Sequence, residues 1–235
     1  PKAVAVVHFG PNGASVATTG KASYAPLNSG GLSVNYDSAL AGGTPASSSG
    51  VSIDQQGKPQ SSTTKMLAAD GSPTGTVTGA YGGLTLTAAG TPQSGAAEMA
   101  VATPQGQQTH AATMNYAAET FAAYALTALD AKGAVQSRTA VDYAKAEMAG
   151  TRLIGGSLAI QHSDPSGRPL SQAQSNLNRQ GVPDTVLGTN FEADGKTPKL
   201  KLLSSYAGVA FNPLRKIQSG KLLVTPETPD GRVKA

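Results

Sequence analysis

Ser62-Thr63-Thr64-Lys65 sets a hydroxyl and an amine at the spacing where a lysine one helical turn away activates a serine nucleophile. That chemistry needs a helix continuing past the lysine. Here Met66-Leu67-Ala68-Ala69 runs into Asp70-Gly71-Ser72-Pro73, which ends any helix. Gly195-Lys196-Thr197 has the closing residues of a phosphate-cradling loop. Its leading glycine should stand at position 190, which is Asn190, and Pro198 sits where the phosphate-binding helix must begin. His8, His110 and His162 are far apart, and a lone histidine is more often packed or at an edge than a ligand. His162 and Asp164 could share a metal ion, but two ligands on a turn leave such a site half built. The Asp turns lack the oxygen-donor density of a calcium loop, and without cysteine there are no thiolate sites and no disulfides. No catalytic constellation is complete, so neither an enzyme nor a cofactor is the expectation.

Basic residues form the remaining candidate site. The segment from Lys196 to Ala235 carries a net +6 and the 195 residues before it −2. Lys196, Lys199, Lys201, Arg215, Lys216 and Lys221 could therefore line a face turned toward a polyanion such as nucleic acid. The competing reading is that lysines on edge strands block unwanted pairing. Tyr206 and Phe211 are the rings near these charges, too few for base stacking, which leaves non-specific phosphate contact.

The elements that would position these residues divide into three stretches. Ala3–Phe9, Ser15–Thr19 and Leu32–Tyr36 read as short strands, with a turn at Gly10-Pro11-Asn12-Gly13. Residues 40–65 and 88–112 are rich in Gly, Ser, Ala and Gln and read as long polar loops or arms. Between them Thr76–Tyr81 and Leu84–Thr87 read as a strand pair joined by Gly82-Gly83. Asn115–Gly150 reads as helical, with Asn115 as one N-cap and Thr139 with Asp142 as a capping box for a second helix. Arg138 and Asp142 would pair across one turn of it, worth ~0.3 kcal/mol. A hairpin of Phe121–Leu129 and Val135–Tyr143 around Asp130-Ala-Lys-Gly133 is the alternative, disfavoured by the density of Ala. Arg152–Gln161 reads as a strand bent at Gly155-Gly156. Thr185–Leu187, Lys199–Ser204, Ala207–Phe211, Leu214–Ile217 and Lys221–Val224 follow as short strands, the last two closed by Gln218-Ser-Gly220. Asp54…Gly57-Lys58, Asp164…Gly167-Arg168, Asp194-Gly195-Lys196 and Asp230-Gly231-Arg232 share a turn grammar, read as turn chemistry without a repeat period.

The expected fold is α+β and β-dominated: short antiparallel strands, sandwich- or barrel-like, around one or two central helices, in a single domain 1–235 with arms at 40–65 and 88–112. Charged residues make up 14% of the chain against about 25% in an average domain. Such a surface is covered by small polar side chains or by other protein. The expected function is a structural subunit that self-assembles into a shell or tube, as a virion capsid or tail protein does. Its partners would be copies of itself, other structural proteins of the assembly and, through the basic segment, nucleic acid. No run reaches the ~18 apolar residues of a membrane span. Pro1 is what a trimmed initiator Met would leave, making synthesis in the cytoplasm and residence in a virion the expected location. The alternative is an extracellular fibre, flagellar-type or adhesin surface module.

Overall fold

Hairpin follows hairpin along the chain, each turn closed in nearly the same way. The computed structural model describes residues 3–9, 16–40, 42–149, 152–212 and 215–227. Among them every regular element is a strand: β1 (Ala3–Phe9), β2 (Val16–Pro26), β3 (Leu32–Leu40), β4 (Pro45–Ile53), β5 (Pro59–Leu67), β6 (Pro73–Ala80), β7 (Leu84–Leu86), β8 (Pro92–Ala102), β9 (Gln108–Ala117) and β10 (Thr120–Leu129) come first. They are followed by β11 (Val135–Asp142), β12 (Ala146–Ala149), β13 (Arg152–Ser163), β14 (Pro169–Leu177), β15 (Pro183–Phe191), β16 (Pro198–Ser205), β17 (Ala210–Phe211), β18 (Ile217–Ser219) and β19 (Leu223–Glu227). The turns at 10–13 and at Asp230, with Pro1, Leu214, Arg232 and Lys234, lie outside the described residues, as does the side chain of His8.

The turns explain the regularity. In most of them, the first residue's N–H donates to the carbonyl four residues on, and the N–H three residues on donates back. Asp54 N–H reaches Lys58 O at 2.9 Å and Gly57 N–H reaches Asp54 O at 3.1 Å; Asp130 with Ala134 and Gly133, and Asp164 with Arg168 and Gly167, repeat the arrangement. This three-residue loop ends on a left-handed residue, which glycine adopts without penalty. Side-chain oxygens cap the amides inside the loop: Asp54 Oδ1 accepts from Gln56 and Lys58, and Asp130 Oδ1 from Lys132 and Ala134. At Asn212-to-Lys216 the left-handed position is held instead by Arg215, at φ 59°.

The chain divides into two units, Pro1–Thr113 with Leu129–Ala134, and Met114–Ala128 with Val135–Ala235. In the first, β1 to β6 pair in sequence as an antiparallel meander, and β8 takes both β6 and β7, at Glu98–Ala102 and Pro92–Gly95. In the second, β13 takes both β11 and β12, and β14, β15, β16 and β19 follow by antiparallel pairing. β17 and β18 form a separate two-stranded sheet. Strands β9 and β10 run from one unit into the other, and Ala118 and Glu119, both at positive φ, make the two-residue turn that joins them.

These strands overturn the α+β expectation. The segments expected as helices are β10, β11 and β12, so the hairpin alternative is the one the chain adopts. Asp142, expected to cap a helix, accepts the Ala144 amide in a turn at 2.8 Å, and Arg138 donates to Pro165 O instead of pairing with Asp142. The helix preference of Ala amounts to only a few tenths of a kcal/mol per residue, and flanking turns with ladder bonds on neighbouring strands outweigh it. The two stretches expected as arms are also strands, β4 with β5 and β8 with β9. Ladders need no buried area to form, and hydroxyls add cross-strand bonds, Ser38–Ser47 and Ser52–Ser61 at 2.7 Å and Ser49–Thr64 at 3.0 Å. Thr76–Tyr81 and Leu84–Thr87 do not pair with each other; both lie along β8. The last expected hairpin is likewise replaced, since β18 pairs with β17 and β19 with β16. The bend at Gly155-Gly156 is present, with a register shift opposite Glu147 and Met148.

A period does exist. Tyr81, Tyr143 and Tyr206, 62 and 63 residues apart, each donate their amide to a carbonyl earlier in the chain (Gln60, Ala122, Asp184) and accept from the amide three residues on. After each comes a left-handed glycine, Gly95, Gly156 and Gly220, packed on the carbonyl two residues past the tyrosine: Gly83, Lys145 and Gly208. A Cβ at any of those glycines would collide with that oxygen. The pairings of Thr76 with Ala102, Arg138 with Ser163 and Lys201 with Glu227 recur at nearly the same interval, 61 to 64 residues. Three copies of one hairpin module, starting at β5, β10 and β15, therefore succeed one another, correcting the expectation of turns without a period.

Candidate self-association faces

Side chains alternate across a strand, and directly opposed residues share a face, so the registers sort each sheet into two surfaces. In the first unit one surface carries the row Lys21, Asp37, Ser48, Lys65 and Thr76, and next to it Ser23, Asn35, Gly50, Thr63 and Thr78. Glu98 falls on this same side, opposite Ala80. All the charged residues of β2–β8 are thus on one surface. The other carries Ala22, Tyr36, Ser49, Thr64, Val77 and Val101, then Tyr24, Val34, Val51, Ser62, Gly79 and Met99, with Met66 and Leu40 in the flanking rows. Burial follows the same alternation: Asp37, Thr63 and Lys65 are exposed where Tyr36, Val51 and Val77 are half-buried.

This inner surface is not closed into a core. Among the described residues the buried apolar side chains are Ala22, Leu84, Ala97 and Val182, and no large side chain is fully buried. Tyr24, Leu40 and Met66, all on the inner surface, stay 37%, 49% and 41% exposed. Local packing fills its hollows: Tyr36 lies over Gly20, and Tyr81 lies over Gly79 with its hydroxyl 2.9 Å from Ser62 Oγ. The second unit is sorted similarly. Arg138, Asp142, Lys201 and Glu227 share a side, opposite the row Val141, Ile160, Ala173, Gly188, Leu202 and Pro226. The segregation is looser there, because Leu187 and Leu203 stand in the Asp142 row.

The candidate polyanion residues are spread over several elements. Lys199 and Lys201 lie on β16, Lys199 at a register shift and Lys201 directly opposite Glu227. Lys196 lies in the β15–β16 turn, Arg215 and Lys216 in the β17–β18 turn, and Lys221 between β18 and β19. The Arg215 guanidinium donates to Leu153 O at 2.7 Å, and the Lys216 amide donates to Asn212 Oδ1 at 2.9 Å.

The motifs resembling catalytic ones resolve into strand and turn. On β5, Ser62 and Lys65 are an odd number of residues apart and point to opposite faces, so the lysine cannot serve the serine. In the Lys196–Thr197 turn the anion position is filled by the chain's own Asp194, which accepts from both amides and from the Thr197 hydroxyl. The hydroxyl first, then the amides, hold its carboxyl down to about 2. Asp164 is saturated in the same manner. Bonds from Ser166, with the Arg168 amide and the 2.8 Å ion pair to Arg168, keep it below the usual carboxylate range and commit its oxygens to its own turn. His162 Nδ1 lies 3.2 Å from Thr139 Oγ1, and His110 Nδ1 3.1 Å from Thr109 Oγ1. Among the described residues no three His, Asp or Glu side chains gather as a metal site, and no helix is long and apolar enough to cross a membrane.

No family model matches this chain, and no curated protein matches it.

The tyrosine-centred module escaped the sequence reading although its signal is present. A glycine lies ten or eleven residues before each of Tyr81, Tyr143 and Tyr206, and another thirteen or fourteen after. Comparison of the chain with itself at an offset of 62 residues aligns Gly71, Gly133 and Gly195 with one another and Tyr81 with Tyr143; shifts of one or two residues bring in the rest.

Proposed function

We propose that this chain is a structural subunit that self-assembles, its sheets serving as building surfaces for a shell, tube or similar array. The observation that carries this reading is the sorting of side chains in the first unit. Every strand charge of β2–β8 stands on one surface, and the larger apolar side chains stand half-covered on the other. Two-layer domains bury such an apolar surface against a second layer, and a surface of this kind left open marks an interaction site. Successive copies of one hairpin module suit a building element, since each copy offers the same backbone geometry. A virion is the setting that the low charge and polar surface suggest, and it stays part of this proposal.

The test is sedimentation velocity of the purified chain across a concentration series, with electron microscopy of the heaviest fraction. Concentration-dependent growth into regular particles is the expected result. A chain that remains monomeric at the highest concentration would overturn the reading.

A further inference from the structure

We propose that the uncharged inner surface of the first unit seats a second copy of this chain, sheet against sheet, so that two copies complete the core that one leaves open. The inference rests on the self-assembly reading and names the surface it uses. Six strands, β2–β6 and β8, span about 29 Å at ~4.8 Å spacing, and nine residues run about 30 Å. One face therefore offers ~860 Å², against the ~800 Å² per partner of a stable interface. Two such faces pack ~10 Å apart, as the layers of a sandwich do, with inner side chains interdigitating.

The chemistry selects a copy of the chain as occupant. The rows through Tyr36 and Val51 carry no charge that would select a partner of opposite sign, and their polar members besides the two tyrosines, Ser49, Ser62 and Thr64, are small. All three of these hydroxyls are already committed, Ser49 with Thr64 and Ser62 with Tyr81, so desolvating them leaves none of the three orphaned. What remains is apolar relief. Tyr24 on β2 and Met66 on β5 stand proud at 37% and 41% exposure, with the lower Val34 on β3 and Val51 on β4 between them. A two-fold axis through such a face makes each copy's raised side chains available to the other copy's lower ground, as an isologous interface requires.

The experiment compares the full chain with Met66→Asp, Tyr24→Asp and Thr63→Asp by sedimentation velocity, with circular dichroism as the control for folding. Met66 and Tyr24 are already part-exposed in the single chain, so their replacement tests association more than folding. At least tenfold weaker association for Met66→Asp and Tyr24→Asp, with Thr63→Asp on the charged surface unchanged, is the expected pattern. Assembly by the parent chain that all three variants retain overturns this surface and leaves the function standing. Weakening by Thr63→Asp alone likewise overturns it, in favour of the charged side. A parent chain that does not associate removes the function reading together with this one.

Discussion

Arg215 is the residue that most plainly departs from its equivalents. It holds at φ 59° a place that glycine fills in the corresponding turns, and its guanidinium reaches Leu153 O. An L-residue there costs roughly 1–2 kcal/mol, while an exposed hydrogen bond returns about 1 kcal/mol. Arg215→Gly is therefore expected to leave stability unchanged or raise it. Gly133→Ala, at a turn where an added Cβ meets nothing within 4 Å, isolates the conformational cost and should lower stability by about 1 kcal/mol. Chemical denaturation of the two variants checks both. Asp194 supplies a prediction about pH. Its folded pKa of about 2 lies under the ordinary ~4. The turn's contribution is thus fully present above pH ~4 and is lost as the pH falls through about 2. An NMR titration following the Thr197 amide should have its midpoint near 2; a midpoint near 4 would mean the carboxylate does not hold that turn.

At the scale of elements, the hairpin is the unit, and its turn decides its stability. Ala118 and Glu119 form a two-residue turn with both residues at positive φ, where an asparagine followed by a glycine is the preferred pair. The double substitution Ala118→Asn with Glu119→Gly should raise the melting temperature, corresponding to about 1 kcal/mol of stability. No change on calorimetry would mean that the β9–β10 connection is not limiting. The Ala-rich run here shows why residue type alone does not separate helix from strand. Its residues prefer helix weakly, yet it is bounded by turn residues about ten positions apart, the interval at which the other strands end. Turn spacing is the better guide, and residue preference the poorer one. The Gly/Ser stretch of β4 teaches the same point, since its strand is held by cross-strand hydroxyls and ladder bonds that composition alone does not reveal.

For the whole molecule, the consequence of an open inner surface is thermodynamic. An ordinary chain of 235 residues unfolds with a heat-capacity increase of about 2.8–3.5 kcal/mol/K, set mainly by apolar area exposed. With Ala22, Leu84, Ala97 and Val182 as the buried apolar residues among those described, the unassembled chain should fall below that range in scanning calorimetry. Association through the inner surface should bring the value, per chain, back toward it. An unassembled chain that already reaches the full range would indicate a closed core and remove the basis for two copies sharing one.

Local chemistry was legible from the amino acids alone. The Asp-x-x-Gly turns at 54–57 and 164–167, the strand at Ala3–Phe9 and the bend at Gly155-Gly156 all follow from short-range sterics and hydrogen bonding. Those forces act within a few residues, and a few residues suffice to read them. Which side of a strand a residue faces, whether Ala-rich segments become helix or ladder, and where the basic residues end up depend on pairing with distant strands. Only the registers place Lys21, Asp37, Lys65 and Glu98 together on one surface and leave Tyr24, Val51 and Met66 on the other. A shift of one residue in any one of those pairings would have turned over the strands beyond it and mixed the two surfaces, because side chains alternate with a period of two.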